Sequence, residues 1–106
     1  MAADAEREMA YMPLAKCYLF GRGTTPDYKK AHQYLALAAQ NAVSPYFLGE
    51  VEYHQAIMYE NGYGYPQNFG EAVKLYQQAA SKGVVEANEA LRHFKKGLFG
   101  WKKDMT

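Results

Sequence analysis

Two short stretches carry the residue types that cradle phosphate elsewhere: Gly21-Arg22-Gly23 and Gly62-Tyr63-Gly64. A phosphate cradle needs a strand before the glycines and a helix N-terminus aimed at the anion. Here helical patterns precede both, the Lys-Ser/Thr pair of a nucleotide loop is missing, and the motif recurs at matched positions. That combination reads as a helix-to-helix turn. His32, His54 and His93 lack the i,i+4 spacing that sets two imidazoles on one helix face, so no metal site is expected. Cys17 has no sequence-adjacent base or positive helix end to draw off its proton and reads as a packed thiol. Glu50 with Glu52, and Glu86 with Glu89, lie in charge-rich helical stretches and read as solvated faces, not acid–base pairs. No catalytic residue, metal or cofactor is expected.

The tail RHFKKGLFGWKKDMT is a different kind of candidate. Arg92, Lys95, Lys96, Lys102 and Lys103 make one end basic, and Leu98, Phe99 and Trp101 add large apolar groups after a helix end expected at Gly97. Aromatic anchors rimmed by cations are a common composition for binding hot spots. A stack of helices also has to cover its last layer, so the same residues suit capping. The expectation is that Phe99 docks on the last helix pair and Trp101 stays exposed. The partner-binding candidates are therefore Trp101, Phe99, Lys102 and Lys103, followed by Tyr46, Phe47 and Tyr53 in the connection before the third helix. Cations with aromatics can also clamp single-stranded nucleic acid. The cluster is short and the net charge is +1, which makes nucleic acid the weaker reading.

The elements that must position these residues follow from an internal repeat. Offset by 41 residues, YLFGRGTTPDYKKAHQYLALAA lies over YENGYGYPQNFGEAVKLYQQAA. Tyr18 meets Tyr59, Gly21 meets Gly62, Asp27 meets Asn68, and Ala31, Ala38 and Ala39 meet Ala72, Ala79 and Ala80. A partial third copy places Phe94 at the Tyr59 position and Gly97 at the Gly62 position. Apolar residues recur at three and four, the helical period. Gly21 and Gly62 stand where a helix ends in a left-handed residue, and Asp27 and Asn68 where the next one is capped.

These signals predict helices over about 4–20, 27–41, 46–61, 68–82 and 86–96, with Pro13 marking either a kink or the true helix start near Tyr11. Repeat one spans about 11–42, repeat two about 53–83, a partial capping repeat 86–97, and the tail 98–106. Seventeen residues separate Ala42 from Tyr59 but eleven separate Gly83 from Phe94. The first connection thus holds six extra residues, which either lengthen the third helix or form a loop. The fold class expected is all-α: a TPR-like helix-turn-helix repeat solenoid of about five antiparallel helices, exposing a groove along the first helices of each pair.

Composition agrees with one domain. The chain has 106 residues, 49% apolar and 22% charged, with ten tyrosines against one tryptophan. A tyrosine ring packs while its hydroxyl stays wet, which suits thin helical layers. One cysteine excludes an internal disulfide and fits a reducing, cytoplasmic setting. No apolar run approaches the length of a membrane span, and the first residues lack the order of a signal peptide.

The pattern Tyr-x2-Gly-x-Gly-x3-Asp/Asn-x3-Ala-x6-Ala-Ala-x2-Gly resembles the Sel-one-like repeats, relatives of the tetratricopeptide repeats, over residues 11–97. Gln55 and Ala90 stand where leucine is usual, and Ala42 replaces a loop glycine. The resemblance implies a fold and a non-catalytic protein- or peptide-binding role, as a free-standing or bacterial adaptor or as part of a larger protein. A narrower resemblance is to the C-terminal repeat domain of elongation factor 2 kinase. It rests on the LAKCYLFGRGTTPD opening, the NGYG joint, the extra residues before the third helix and the single Trp101 near the end. That resemblance implies a domain that helps recruit its substrate, with elongation factor 2 or the kinase's own catalytic part as partner and Trp101 and its neighbours in the contact. The basic Trp101-Lys102-Lys103 departs from that family's more acidic ending.

Overall fold

The computed structural model describes the backbone of residues 2–23, 25–97 and 100–103, and side chains over 11–23, 25–96 and 100–103. Five helices follow one another: α1 (Ala2–Phe20), α2 (Tyr28–Gln40), α3 (Pro45–Asn61), α4 (Phe69–Ser81) and α5 (Val85–Leu91). Two strands close the described chain, β1 (Phe94–Gly97) and β2 (Gly100–Lys103). α1 packs on α2, α3 on α4, and α2 against α3, while α5 and β2 cover α4.

Matched residues in the two repeats make matched hydrogen bonds. Asp27 and Asn68 cap α2 and α4 through their side chains, accepting from the backbone N–H of Lys30 at 3.1 Å and of Glu71 at 3.0 Å. Their own N–H groups donate to Tyr18 at 2.8 Å and Tyr59 at 2.9 Å. The N–H groups of Arg22 and Tyr63 reach back to Cys17 and Met58, so each joint ties off the helix before it. Gly62 takes the left-handed conformation at φ 69°, and Gly21 does the same at φ 71°. A Cβ there would crowd the following carbonyl, which is why glycine ends both helices.

The six extra residues are helix. Ser44 caps α3, accepting from the N–H of Phe47 at 3.1 Å, and Pro45 occupies the first turn, where its missing N–H costs nothing. Gly49 then permits close packing: a Cβ would come within 2.9 Å of Lys82 Cβ and 3.0 Å of Val84 Cγ2. Pro13 lies inside α1 with its ring exposed, so the helix runs through it.

The core forms two clusters that meet along α3. The first holds Met12, Ala15, Leu19, Ala31, Leu35, Ala38, Val51 and Met58; the second holds Ala56, Ala72, Val73, Tyr76, Ala79, Val84, Ala87 and Phe94. The fully buried alanines let helix backbones approach, and tyrosine rings fill the gaps between layers.

The end of the chain departs from expectation. Helix five was expected over 86–96, but α5 stops at Leu91, closing through Arg92 N–H to Glu89 and His93 N–H to Ala90. Instead Phe94 starts a strand and lies edge-on to Phe69 at 5.5 Å, with Tyr76 at 6.1 Å. The antiparallel register is Phe94 with Lys103, Lys95 with Lys102, Lys96 with Trp101 and Gly97 with Gly100.

Candidate protein-binding surfaces

The tail candidates divide. Phe99 lies outside the described residues. Trp101, expected to be exposed, is half-buried in β2 against the second core cluster, because the pleat turns it to the same face as Phe94. Lys103 shares that face, and its Nζ pairs with Glu60 Oε2 of α3 at 2.5 Å. The other oxygen of Glu60 accepts from the Tyr76 hydroxyl at 2.6 Å. Burial, with the Glu60 carboxylate beside it, pushes the Tyr76 phenol far above its usual range, so Tyr76 stays a donor. Lys103 thus clamps the hairpin to the stack. Lys102 is exposed on the outer face.

The candidates before the third helix divide as well. Phe47 packs half-buried against the first cluster. Tyr53 is half-buried, edge-on to His54 at 5.2 Å and tilted on Tyr76 at 5.7 Å, and burial raises its phenol. Tyr46 alone is open, at 49% exposure. The negative charge of Glu50 beside it raises its phenol, with Glu86 acting in the same direction.

Tyr46 belongs to a patch that the sequence reading did not assemble. Val43 is 82% exposed and Val85 64%, and the Tyr46 ring lies over Gly83, which joins α4 to α5. Next to it opens a pocket of about 390 Å³ bounded by Ala39, Ala42, Val43, Ser44, Pro45, Leu48 and Lys82. The α2–α3 and α4–α5 connections therefore form one apolar corner, with Lys82 held at its edge by Glu52 at 2.7 Å. The available signal was a bare valine in a turn: Val43 just before a Ser-Pro cap.

Among the described residues no cluster of His, Cys, Asp or Glu could hold a metal. His54 Nδ1 donates to the Glu50 carbonyl at 2.7 Å, and burial pushes its pKa down, which keeps the ring neutral. His32 contacts the Tyr65 hydroxyl, His93 is exposed in the turn after α5, and Cys17 is half-buried. At the second joint Tyr63 stacks on Tyr28 at 4.5 Å and Tyr65 on Tyr59 at 4.4 Å. Tyrosine rings therefore pack around the second joint. No helix among the described residues is long and apolar enough to cross a membrane.

Comparison with known proteins agrees with this geometry. The Sel1 repeat model matches residues 3–43 and 46–84, more than half of the chain. DAP3-binding cell death enhancer 1 of Mus musculus is 45% identical over 74 residues, covering 70% of this chain and 14% of that protein. The protein of the same name from Rattus norvegicus is 42% identical over an equal span. The chain therefore spans about a seventh of the length of these relatives. Among solved structures, a protective antigen present in uropathogenic Escherichia coli strains and displaying an SLR fold superposes with a TM-score of 0.67. It is 31% identical, over 85% of this chain and 18% of the antigen.

Proposed function

The chain belongs to the Sel1 repeat family, and from that premise we propose that it is a protein-docking module whose principal contact is the apolar corner at Val43, Tyr46 and Val85. Sel1 repeat domains are generally non-catalytic modules that bind proteins. The observation supporting the corner is exposure: large apolar side chains stand open there beside a pocket wide enough to take an anchoring side chain. The rodent relatives carry a partner in their name, so DAP3 is the first partner proposed for this chain. The lone half-buried cysteine supports a reducing compartment, such as the cytoplasm.

A narrower reading makes the chain the substrate-docking end of a kinase resembling elongation factor 2 kinase, with elongation factor 2 as partner. It rests on Trp101 and its neighbours, and the inward-facing Trp101 ring favours packing over contact. The test is a side-by-side measurement with the chain immobilised and DAP3 or elongation factor 2 in solution. DAP3 is expected to bind, and Val43→Asp with Tyr46→Ala to weaken it by about tenfold or more, or 1.4 kcal/mol. Elongation factor 2 binding that depends on Trp101 would favour the narrower reading. Absence of DAP3 binding would remove that partner, and binding indifferent to the corner substitutions would remove that site.

A further inference from the structure

We propose that the corner at Val43, Tyr46 and Val85 takes a basic-apolar segment of a partner protein, with a large apolar side chain in the pocket and an arginine or lysine against Glu50 and Glu86; this rests on the docking reading and names the chemistry of its partner. Charge selects the occupant. The stretches that build the corner, 41–53 and 81–91, hold four carboxylates, Glu50, Glu52, Glu86 and Glu89, against one cation, Lys82, in a chain whose net charge is +1. Lys82 bounds the pocket but is held by Glu52 at 2.7 Å. Glu89 meets Arg92 at 3.4 Å. Among the described residues Glu50 and Glu86 have no ion-pair partner. Lys16 of α1 stands toward His54, one turn along α3 from Glu50, and pairs with neither carboxylate.

Helix geometry sets the spacing of the two contacts. Tyr46 and Glu50 stand in one row of α3, a turn apart, and the Tyr46 ring lies over Gly83, three residues before Glu86. Both carboxylates raise the Tyr46 phenol, Glu50 the more. Leu48, which bounds the pocket, falls about 200° round the helix from Tyr46, so pocket and carboxylates flank the first turns of α3. A helix with its side chains is about 10 Å across. An extended segment rises about 3.4 Å per residue, so anchor and cation sit about three residues apart in the partner. An acidic segment or a nucleic acid would instead bring its charge onto two uncompensated carboxylates, which opposes its approach.

The experiment titrates three dye-labelled peptides with the whole chain and follows anisotropy: repeats of Leu-Ser-Ser-Arg, of Leu-Ser-Ser-Glu and of Ser-Ser-Ser-Arg. The first is expected to bind, and each of the others to bind about tenfold more weakly or worse. Glu50→Gln with Glu86→Gln should weaken the first peptide about fivefold, the size of two partly exposed ion pairs. Raising salt from about 50 to 200 mM should also weaken it, since exposed charges are screened. Circular dichroism checks that the double substitution leaves the helices intact; if it does not, Glu86→Gln alone serves, with about a twofold loss expected. Sedimentation of the chain without peptide is expected to show a monomer. No binding of the Leu-Arg peptide, equal binding of its Glu counterpart, or binding indifferent to these substitutions would each overturn the proposal. Self-association abolished by the same substitutions would give the corner to a second copy and overturn it too. DAP3 binding that depends on Val43 and Tyr46 but not on Glu50 and Glu86 would remove this proposal alone and leave the docking reading standing.

Discussion

Between Phe20 and Asp27 the chain turns from α1 into α2, and between Asn61 and Asn68 it turns from α3 into α4 with the same backbone hydrogen bonds. The glycines agree too: Gly23 and Gly64 sit at φ 73° and 77°. What differs is what the side chains touch. A Cβ on Gly23 would meet nothing within 4 Å, whereas one on Gly64 would meet Tyr28 Cβ at 3.0 Å. Arg22 is exposed, with its guanidinium over the Phe20 ring at 5.6 Å. Tyr63, its counterpart in the second copy, packs against α2, and Tyr65 against α2 and α3, so the two rings join repeat one to repeat two. One backbone motif therefore does two jobs. It turns a helix in both places, and only in the second does it also join layers.

The largest expected effect separates those jobs. Tyr63→Ala with Tyr65→Ala should cost about 3 kcal/mol, near the low end for large aromatic truncations because both rings are half-buried. Arg22→Ala should stay within about 0.5 kcal/mol, as surface changes do. Urea denaturation measures both, and equal costs would erase the distinction. The glycines give a narrower pair. Gly23→Ala and Gly64→Ala both place a side chain at positive φ, costing about 1 kcal/mol. Gly64→Ala should cost about 1 kcal/mol more, for the crowding against Tyr28.

The smallest effect is in alkali. Burial, with Tyr59 beside it, pushes the Tyr65 phenol up to about 12. A pKa raised in the folded state stabilises the fold fully below the unfolded value of about 10 and stops doing so as pH climbs through the folded value. Tyr65→Phe should therefore flatten the fall in stability between about pH 10 and pH 12 relative to the unsubstituted chain. The first joint has no tyrosine between Phe20 and Asp27, so Arg22→Ala should leave that slope unchanged.

Much of this was legible because a repeat is read twice. Gly62 and Asn68 are confirmed as helix end and cap by Gly21 and Asp27, so the joints and the five helices stand out in the sequence. The hairpin was hidden by the same habit. Aligning Phe94 with Tyr59 imposed a helical period on a segment that forms two short strands, Phe94–Gly97 and Gly100–Lys103, and its adjacent lysine pairs hide the strand alternation. The corner was invisible for another reason. Val43, Tyr46 and Val85 belong to two connections some forty residues apart, and only the packing of α3 on α4 brings them to one edge. Tyr46 could be named as a candidate from its residue type, but the pocket beside it is a property of three helices together.

The joints hold the stack and the pattern-breaking corner meets the partner: that is the central claim, and backbone amide hydrogen exchange with and without bound DAP3 tests it in one experiment. The account predicts added protection over 42–48 and 83–86, with the joint at 20–27 unchanged. Protection confined to either Gly-x-Gly joint, with the corner exchanging as in the free chain, would contradict it.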